Sequence, residues 1–195
     1  MNLPNKLTVL RVIMIPFFLF FLVFPGLVSD AEGNYLLARI LAAAIFGLAS
    51  FTDMLDGKIA RKYGLVTDFG KFMDPLADKL LVFGAMLGLL VMNREDELFC
   101  SVFVWAAFVI ILRELAVTSM RMVVSSAEGI VIAANIWGKM KTVSQIVGII
   151  IIILEPIVWD GYIGSFVMMG LMVVTTLFSG FSYFKAYWPY INSNK

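Results

Sequence analysis

At 195 residues, 61% of them hydrophobic and 15% charged, with a mean hydropathy of +0.94, the chain is too apolar for a water-soluble globular domain and reads as an integral membrane protein. One cysteine, Cys100, excludes an intrachain disulfide and a cysteine metal cluster, and the absence of histidine restricts any general base to Asp, Glu, Lys, Tyr or a metal-bound water. The formal net charge of +1 conceals a segregation of sign along the chain, and nothing in it points to nucleic acid.

Six apolar segments approach the roughly 20 residues that an α-helix needs to cross the hydrocarbon core. The first runs from about Leu7 to Leu27. Its opening, NLPNKLTVLRVIMIP, has no small-residue cleavage site, so a retained helix is expected there and not a signal peptide. The second and third, Tyr35 to Phe51 and Lys79 to Met92, are cut short by an acidic stretch, FTDMLDGKIARKYGLVTDFGKFMDPLADK. The second helix is expected to continue to Arg61 and the third to start near Thr67. Phe99 to Thr118, Thr142 to Val158 and Tyr162 to Phe184 complete the set. The compact joints SDAEGN, NREDE and EPIVWDG separate the spans, with no soluble domain, low-complexity tract or internal repeat. The expected fold is an all-α membrane protein of six transmembrane helices, one catalytic domain over residues 1–195.

Charge predicts the orientation. The joints at 28–34, 93–98 and 155–161 are acidic, with Arg94 their only basic residue, whereas lysine and arginine gather at the two termini and the other joints. The positive-inside rule then places both termini and the acidic stretch on the cytoplasmic side of the cell membrane.

The acids fall on helix faces. At 100° per residue, Asp53, Asp56, Gly57, Ala60 and Arg61 lie within an arc of roughly 140°, and Gly70, Asp74 and Asp78 form a stripe at i, i+4, i+8. A short linker from Lys62 to Thr67 favours antiparallel neighbours, which would bring four carboxylates together. At membrane depth such a group is either protonated or holds cations. Hard divalent ions with oxygen ligands, Mg²⁺ or Mn²⁺, fit best, and two of them balance the four charges. Gly57 and Ala60 leave one helix face nearly bare for a bulky group. Arg61 is placed to grip a phosphate, with Lys58 and Lys71 adding positive charge nearby. Pro75 withholds a backbone donor, either within the first turns of its helix or at a kink.

The string D-x-x-D-G-x-x-A-R, then eight residues, then G-x-x-x-D-x-x-x-D, is present as Asp53, Asp56, Gly57, Ala60, Arg61, Gly70, Asp74 and Asp78. It resembles, without departure in residue type or spacing, the full signature of the CDP-alcohol phosphotransferase family. The helix count is similar too, so the likeness covers essentially the whole chain. The resemblance implies a membrane transferase that binds two divalent cations and moves a phosphatidyl or related group from a CDP-linked donor to an alcohol, releasing CMP. It also implies Asp53, Asp56 and Asp74 as metal ligands and Asp78 as the base, in contact with a metal as well. CDP-diacylglycerol would lie along Asn5, Thr8, Arg11, Gly57, Ala60, Arg61 and Gly70, in a groove open to membrane lipid, and the assembly would be a homodimer. Substitution at a diphosphate phosphorus agrees with this, because two metals about 4 Å apart neutralise both the transferring and the leaving group.

Arg113 and Arg121, with Lys139 and Lys141 in GKMKT, form a second cationic set on the expected cytoplasmic side. Four cations suit an anionic, phosphorylated acceptor better than a neutral polyol or choline. The opening segment and GKMKT are similar to those of bacterial phosphatidylglycerophosphate synthases, which implies sn-glycerol 3-phosphate; inositol phosphate and serine are the alternative acceptors. Ordinary positive-inside topology also accounts for such cations, and snorkelling or helix capping for Asn5, Thr8 and Arg11. Asp68 is off both stripes and reads as an N-cap or loop residue. Gly84 and Gly88 could pack helices within or between protomers, and Trp159, Tyr162, Tyr187 and Trp188 read as interfacial anchors. A UbiA-like prenyltransferase would also set aspartates over Mg²⁺ but lacks the D-G-x-x-A-R continuation. A cation transporter would need a polar path, yet beyond the motif helices two and three offer only Arg39, Ser50 and Thr52.

Overall fold

The computed structural model describes residues 2–28, 35–65, 67–128, 136–159 and 161–191, with Arg61, Lys71, residues 126–128 and Ile191 described by backbone alone. The regular elements among the described residues are all helical: α1 (Leu3–Val23), a 3-10 turn (Pro25–Leu27), α2 (Leu36–Tyr63), α3 (Asp68–Met92), α4 (Glu97–Glu128), α5 (Ile136–Val158) and α6 (Ile163–Ile191). Each of the six α-helices is long and apolar enough to cross a membrane. The all-α membrane fold expected from hydropathy is therefore observed.

Helix ends follow capping chemistry more closely than they follow hydropathy. α1 begins at Leu3, earlier than its apolar run, because the Asn2 side chain accepts from the Asn5 amide at 3.1 Å and Pro4 sits in the first turn, where its missing donor costs nothing. Asn2 is thus the cap, not Asn5. α2 ends at Gly64, whose φ of 64° suits glycine, and the Leu65 amide returns to the Ala60 carbonyl at 3.0 Å. Thr67 caps α3 by accepting from the Gly70 amide at 3.0 Å. Asp68 is the first residue inside that helix, where its charge complements the helix dipole, and it is not the cap. α4 and α6 run past their expected ends at Thr118 and Phe184. Val117, Val124, Tyr183 and Tyr187 form a common core there, and that packing carries the more polar turns as helix. Tyr187, 1% exposed, belongs to this core and is no interfacial anchor, whereas Trp159 and Trp188 remain exposed.

The chain gathers into two compact units, residues 1–96 with 149–162 and residues 97–148 with 163–195. In the first, α1 packs along both α2 and α3, while α2 and α3 touch each other far less. The acidic helices are consecutive in the chain but are not packed side by side, and α1 lies between them. One stripe of α1 explains this: Asn5, Thr8, Arg11, Ile15, Phe18 and Leu22 are all buried at helical spacing, polar at one end and apolar at the other. The apolar end meets small residues. Ala38, Ala42 and Ala49 of α2 are fully buried, and Phe18 meets the Phe46 ring at 5.4 Å. On α3, a Cβ at Gly88 would stand 2.6 Å from the Leu22 side chain, and one at Gly84 3.5 Å from Ile15. These two glycines pack helices within the chain. In the second unit α4 pairs with α6, with Phe99 stacked on Phe103 at 5.4 Å and near Phe166 at 6.3 Å.

Candidate active site

The polar end of the α1 stripe meets the acidic motif. Arg11, fully buried, pairs through Nη1 with Asp53 Oδ1 at 2.7 Å and through Nη2 with Asp56 Oδ2. Thr8 Oγ1 donates to Asp74 Oδ1 at 2.7 Å and lies 3.5 Å from Asp56 Oδ2. Asn5 Oδ1 accepts from Thr67 Oγ1 at 3.0 Å, which fixes the entry of α3 against α1. A Cβ at Gly70 would come within 3.2 Å of Asn5 Oδ1 and 3.3 Å of Thr67 Oγ1, so the motif glycine here permits close approach of α3 to α1. Arg11 does not snorkel. It is an internal counter-charge, and leaving such a group unpaired would cost about 3–5 kcal/mol.

Arg11 joins Asp53 to Asp56, and Thr8 joins Asp56 to Asp74, so three of the motif aspartates are linked through α1. Their openness differs. The Asp56 side chain is 4% exposed, whereas those of Asp53 and Asp78 are 40% and 44% exposed. The buried side of the cluster is thus held by α1 and the other side is open. Asp78 stands beside Lys79, with Nζ 3.6 Å from Oδ2. Gly57 and Ala60 are half-buried on α2 and Lys58 is exposed; the Arg61 and Lys71 side chains lie outside the described residues.

The donor chemistry fits a hard divalent cation. Every donor is a carboxylate or hydroxyl oxygen, and Arg11 and Lys79 offset only part of the charge of the four carboxylates. Among the described residues no three acidic groups surround a common point, and Asp53 and Asp56 are both paired with Arg11. Ser50 and Thr52 donate back to the Phe46 and Ala49 carbonyls of their own helix at 2.9 and 2.7 Å, so neither begins a polar path along α2.

The second unit gathers three of the four other cations. Arg113 donates to Ser179 Oγ at 2.6 Å and Glu114 Oε1 at 3.2 Å, and Lys141 pairs with the same Glu114 oxygen. Arg121 donates to the Tyr183 hydroxyl at 2.8 Å and lies over that ring at 4.9 Å, with Arg113 at 5.5 Å. Lys139 is exposed and makes none of these contacts. Glu114, 3% exposed, is the residue that sequence reasoning passed over. An acid inside an apolar run was the available signal. Replacing it with alanine leaves Lys141 buried without its carboxylate, so a loss of about 3–5 kcal/mol is expected. Thermal unfolding in detergent measures it, and the loss should be smaller for Glu114→Gln, which keeps an acceptor.

Known proteins are similar to this chain along most of its length. The family described as CDP-alcohol phosphatidyltransferase matches residues 1–179. A Bacillus subtilis protein named CDP-diacylglycerol–glycerol-3-phosphate 3-phosphatidyltransferase is 37% identical over 198 aligned residues, covering 99% of this chain and 98% of its own. A Rickettsia typhi protein of the same name is 37% identical over 191 residues, 95% of this chain and 96% of its own. A probable phosphatidylglycerophosphate synthase of Mycobacterium tuberculosis is 37% identical over 182 residues, 93% of this chain and 79% of its own.

Proposed function

The chain belongs to the CDP-alcohol phosphatidyltransferase family, and from that premise we propose that it transfers the phosphatidyl group of CDP-diacylglycerol to sn-glycerol 3-phosphate, giving phosphatidylglycerol phosphate and CMP. It is a membrane transferase of phospholipid biosynthesis. What supports the reaction is the linking of Asp53, Asp56 and Asp74 through Arg11 and Thr8 of α1, with Asp53 and Asp78 partly exposed. These carboxylates would hold the divalent cations, Mg²⁺ or Mn²⁺, that neutralise charge on the diphosphate.

The chain's own groups then divide the work. Arg11 and Thr8 hold Asp53, Asp56 and Asp74 in place from α1. Asp78, free of that grip, takes the proton of the acceptor hydroxyl as its oxygen bonds to the phosphatidyl phosphorus and the bond to CMP breaks. Gly57, Ala60 and Gly70 keep the helix faces low beside the nucleotide, with Arg61 on its phosphates. Arg113, Arg121, Lys139 and Lys141 serve the acceptor phosphate. The diacylglycerol chains stay in the bilayer throughout. Basic residues at the termini support a cytoplasmic site in the cell membrane, and family likeness supports a homodimer.

The direct test is CMP release by purified protein with CDP-diacylglycerol and a panel of glycerol 3-phosphate, inositol phosphate, inositol and serine. Turnover is expected with glycerol 3-phosphate, and turnover confined to another acceptor overturns the assignment. Lys139 offers a clean companion experiment, because its removal disturbs no described contact. Lys139→Ala and Arg121→Ala should raise KM for glycerol 3-phosphate about ten- to a hundredfold for each residue that touches the phosphate. KM for CDP-diacylglycerol should barely move. Equal damage to both substrates would mark these cations as topological.

A further inference from the structure

A cavity of about 230 Å³ opens in the first unit at the end remote from the carboxylates, bordered by Val23, Tyr35, Arg39, Arg94, Glu95 and Tyr162. Along α1 the rise from Arg11 to Val23 is about 18 Å at 1.5 Å per residue. The cavity thus lies toward the other face of a hydrocarbon layer roughly 30 Å thick. The proposed reaction uses none of its residues.

Arg39 is the group that needs an explanation. It sits within the apolar span Leu36–Ala60, where a guanidinium is rare and is retained for a counter-charge or a function. Its Nη1 donates to the Ile153 carbonyl at 3.1 Å, and among the described residues no carboxylate pairs with it. A guanidinium has five donors. None of the Arg39 nitrogens is a buried orphan, and the residue lines the cavity. At the rim stand Arg94, a second guanidinium, and two acids, Asp96 and Glu95, the latter exposed and in no ion pair among the described residues. Anion-binding and cation-binding groups therefore share one small chamber.

Size and surroundings narrow the ligand. The volume is below the roughly 300–1,000 Å³ of sites for drug-sized molecules, so a headgroup fits and a whole lipid does not. Phe24, Leu36 and Leu37, exposed at the same end, offer apolar surface outside the cavity along which acyl chains can lie. We infer that the cavity binds the headgroup of a zwitterionic, amine-bearing glycerophospholipid in the leaflet away from the carboxylates, with Arg39 and Arg94 on the phosphodiester and Glu95 on the ammonium. Such a lipid would tie the start of α2 to the end of α3.

The test uses delipidated full-length protein, with native mass spectrometry for binding and thermal unfolding in detergent. The probes are phosphatidylethanolamine, phosphatidylglycerol, diacylglycerol, phosphoethanolamine and inorganic phosphate. Phosphatidylethanolamine should bind and raise the unfolding temperature, and Arg39→Gln and Arg94→Ala should weaken its binding about ten- to a hundredfold. CMP release should stay at the wild-type level in both variants. Glu95→Gln should remove the preference for phosphatidylethanolamine over phosphatidylglycerol. Should Arg39→Gln fold poorly, the two rim variants decide. Wild-type lipid binding in the rim variants overturns the inference, as does equal stabilisation by diacylglycerol. Equal stabilisation by phosphoethanolamine or phosphate would make this a soluble-anion site and overturn it too.

Discussion

Asp53→Asn and Asp56→Asn are each expected to abolish CMP release, because an amide is a weaker ligand for a hard cation and leaves diphosphate charge uncompensated. The two variants should differ in stability. Asp56, 4% exposed in its side chain, faces Arg11 and Thr8, so its replacement breaks an ion pair in which both side chains are buried. Asp53 is 40% exposed and can lose its charge at less cost to the fold. Thermal unfolding should therefore separate them, with Asp56→Asn the less stable, while both are inactive. EDTA should silence the wild type and added Mg²⁺ or Mn²⁺ should restore it. Near-normal turnover in either variant, or indifference to EDTA, would sink the metal-dependent reading.

Asp78→Asn should separate chemistry from binding. Asp74 accepts from Thr8, but Asp78 has no α1 partner among the described contacts and stands half-exposed beside Lys79. Changing it should leave the rest of the cluster in place. If Asp78 takes the hydroxyl proton, the variant should retain metal-dependent binding of CDP-diacylglycerol and lose roughly 10²–10⁴ in rate. Asp74→Asn should weaken binding as well. The measurement is metal-dependent binding beside CMP release for both variants. Equal loss of binding would make Asp78 principally a ligand and move the base elsewhere.

Most of the acidic motif was legible in the sequence, because it is a property of single helices. A 3.6-residue period decides that Asp53 and Asp56 share a face and that Gly70, Asp74 and Asp78 share another, and hydropathy decides that both helices cross a membrane. Helix ends were less legible. The expected end of α4 near Thr118 gave way to Glu128, since an apolar-run criterion stops where polar turns begin, and contacts such as Arg121 with Tyr183 keep those turns helical.

By itself, then, the sequence determined the membrane class, the six spans, the acidic faces and the likeness that names the family. Tertiary structure alone decided what lies between those faces. Arg11 reaches Asp56 across 45 positions and Thr8 reaches Asp74 across 66, and Glu114 draws Arg113 and Lys141 together. Periodicity tells which way a side chain points from its own helix axis, but not which helix it will meet. In a membrane that pairing is chosen by close packing and by where buried polar groups find partners. Here the bare Ala and Gly surfaces of α2 and α3 admit α1, and its polar end becomes the inner wall of the site.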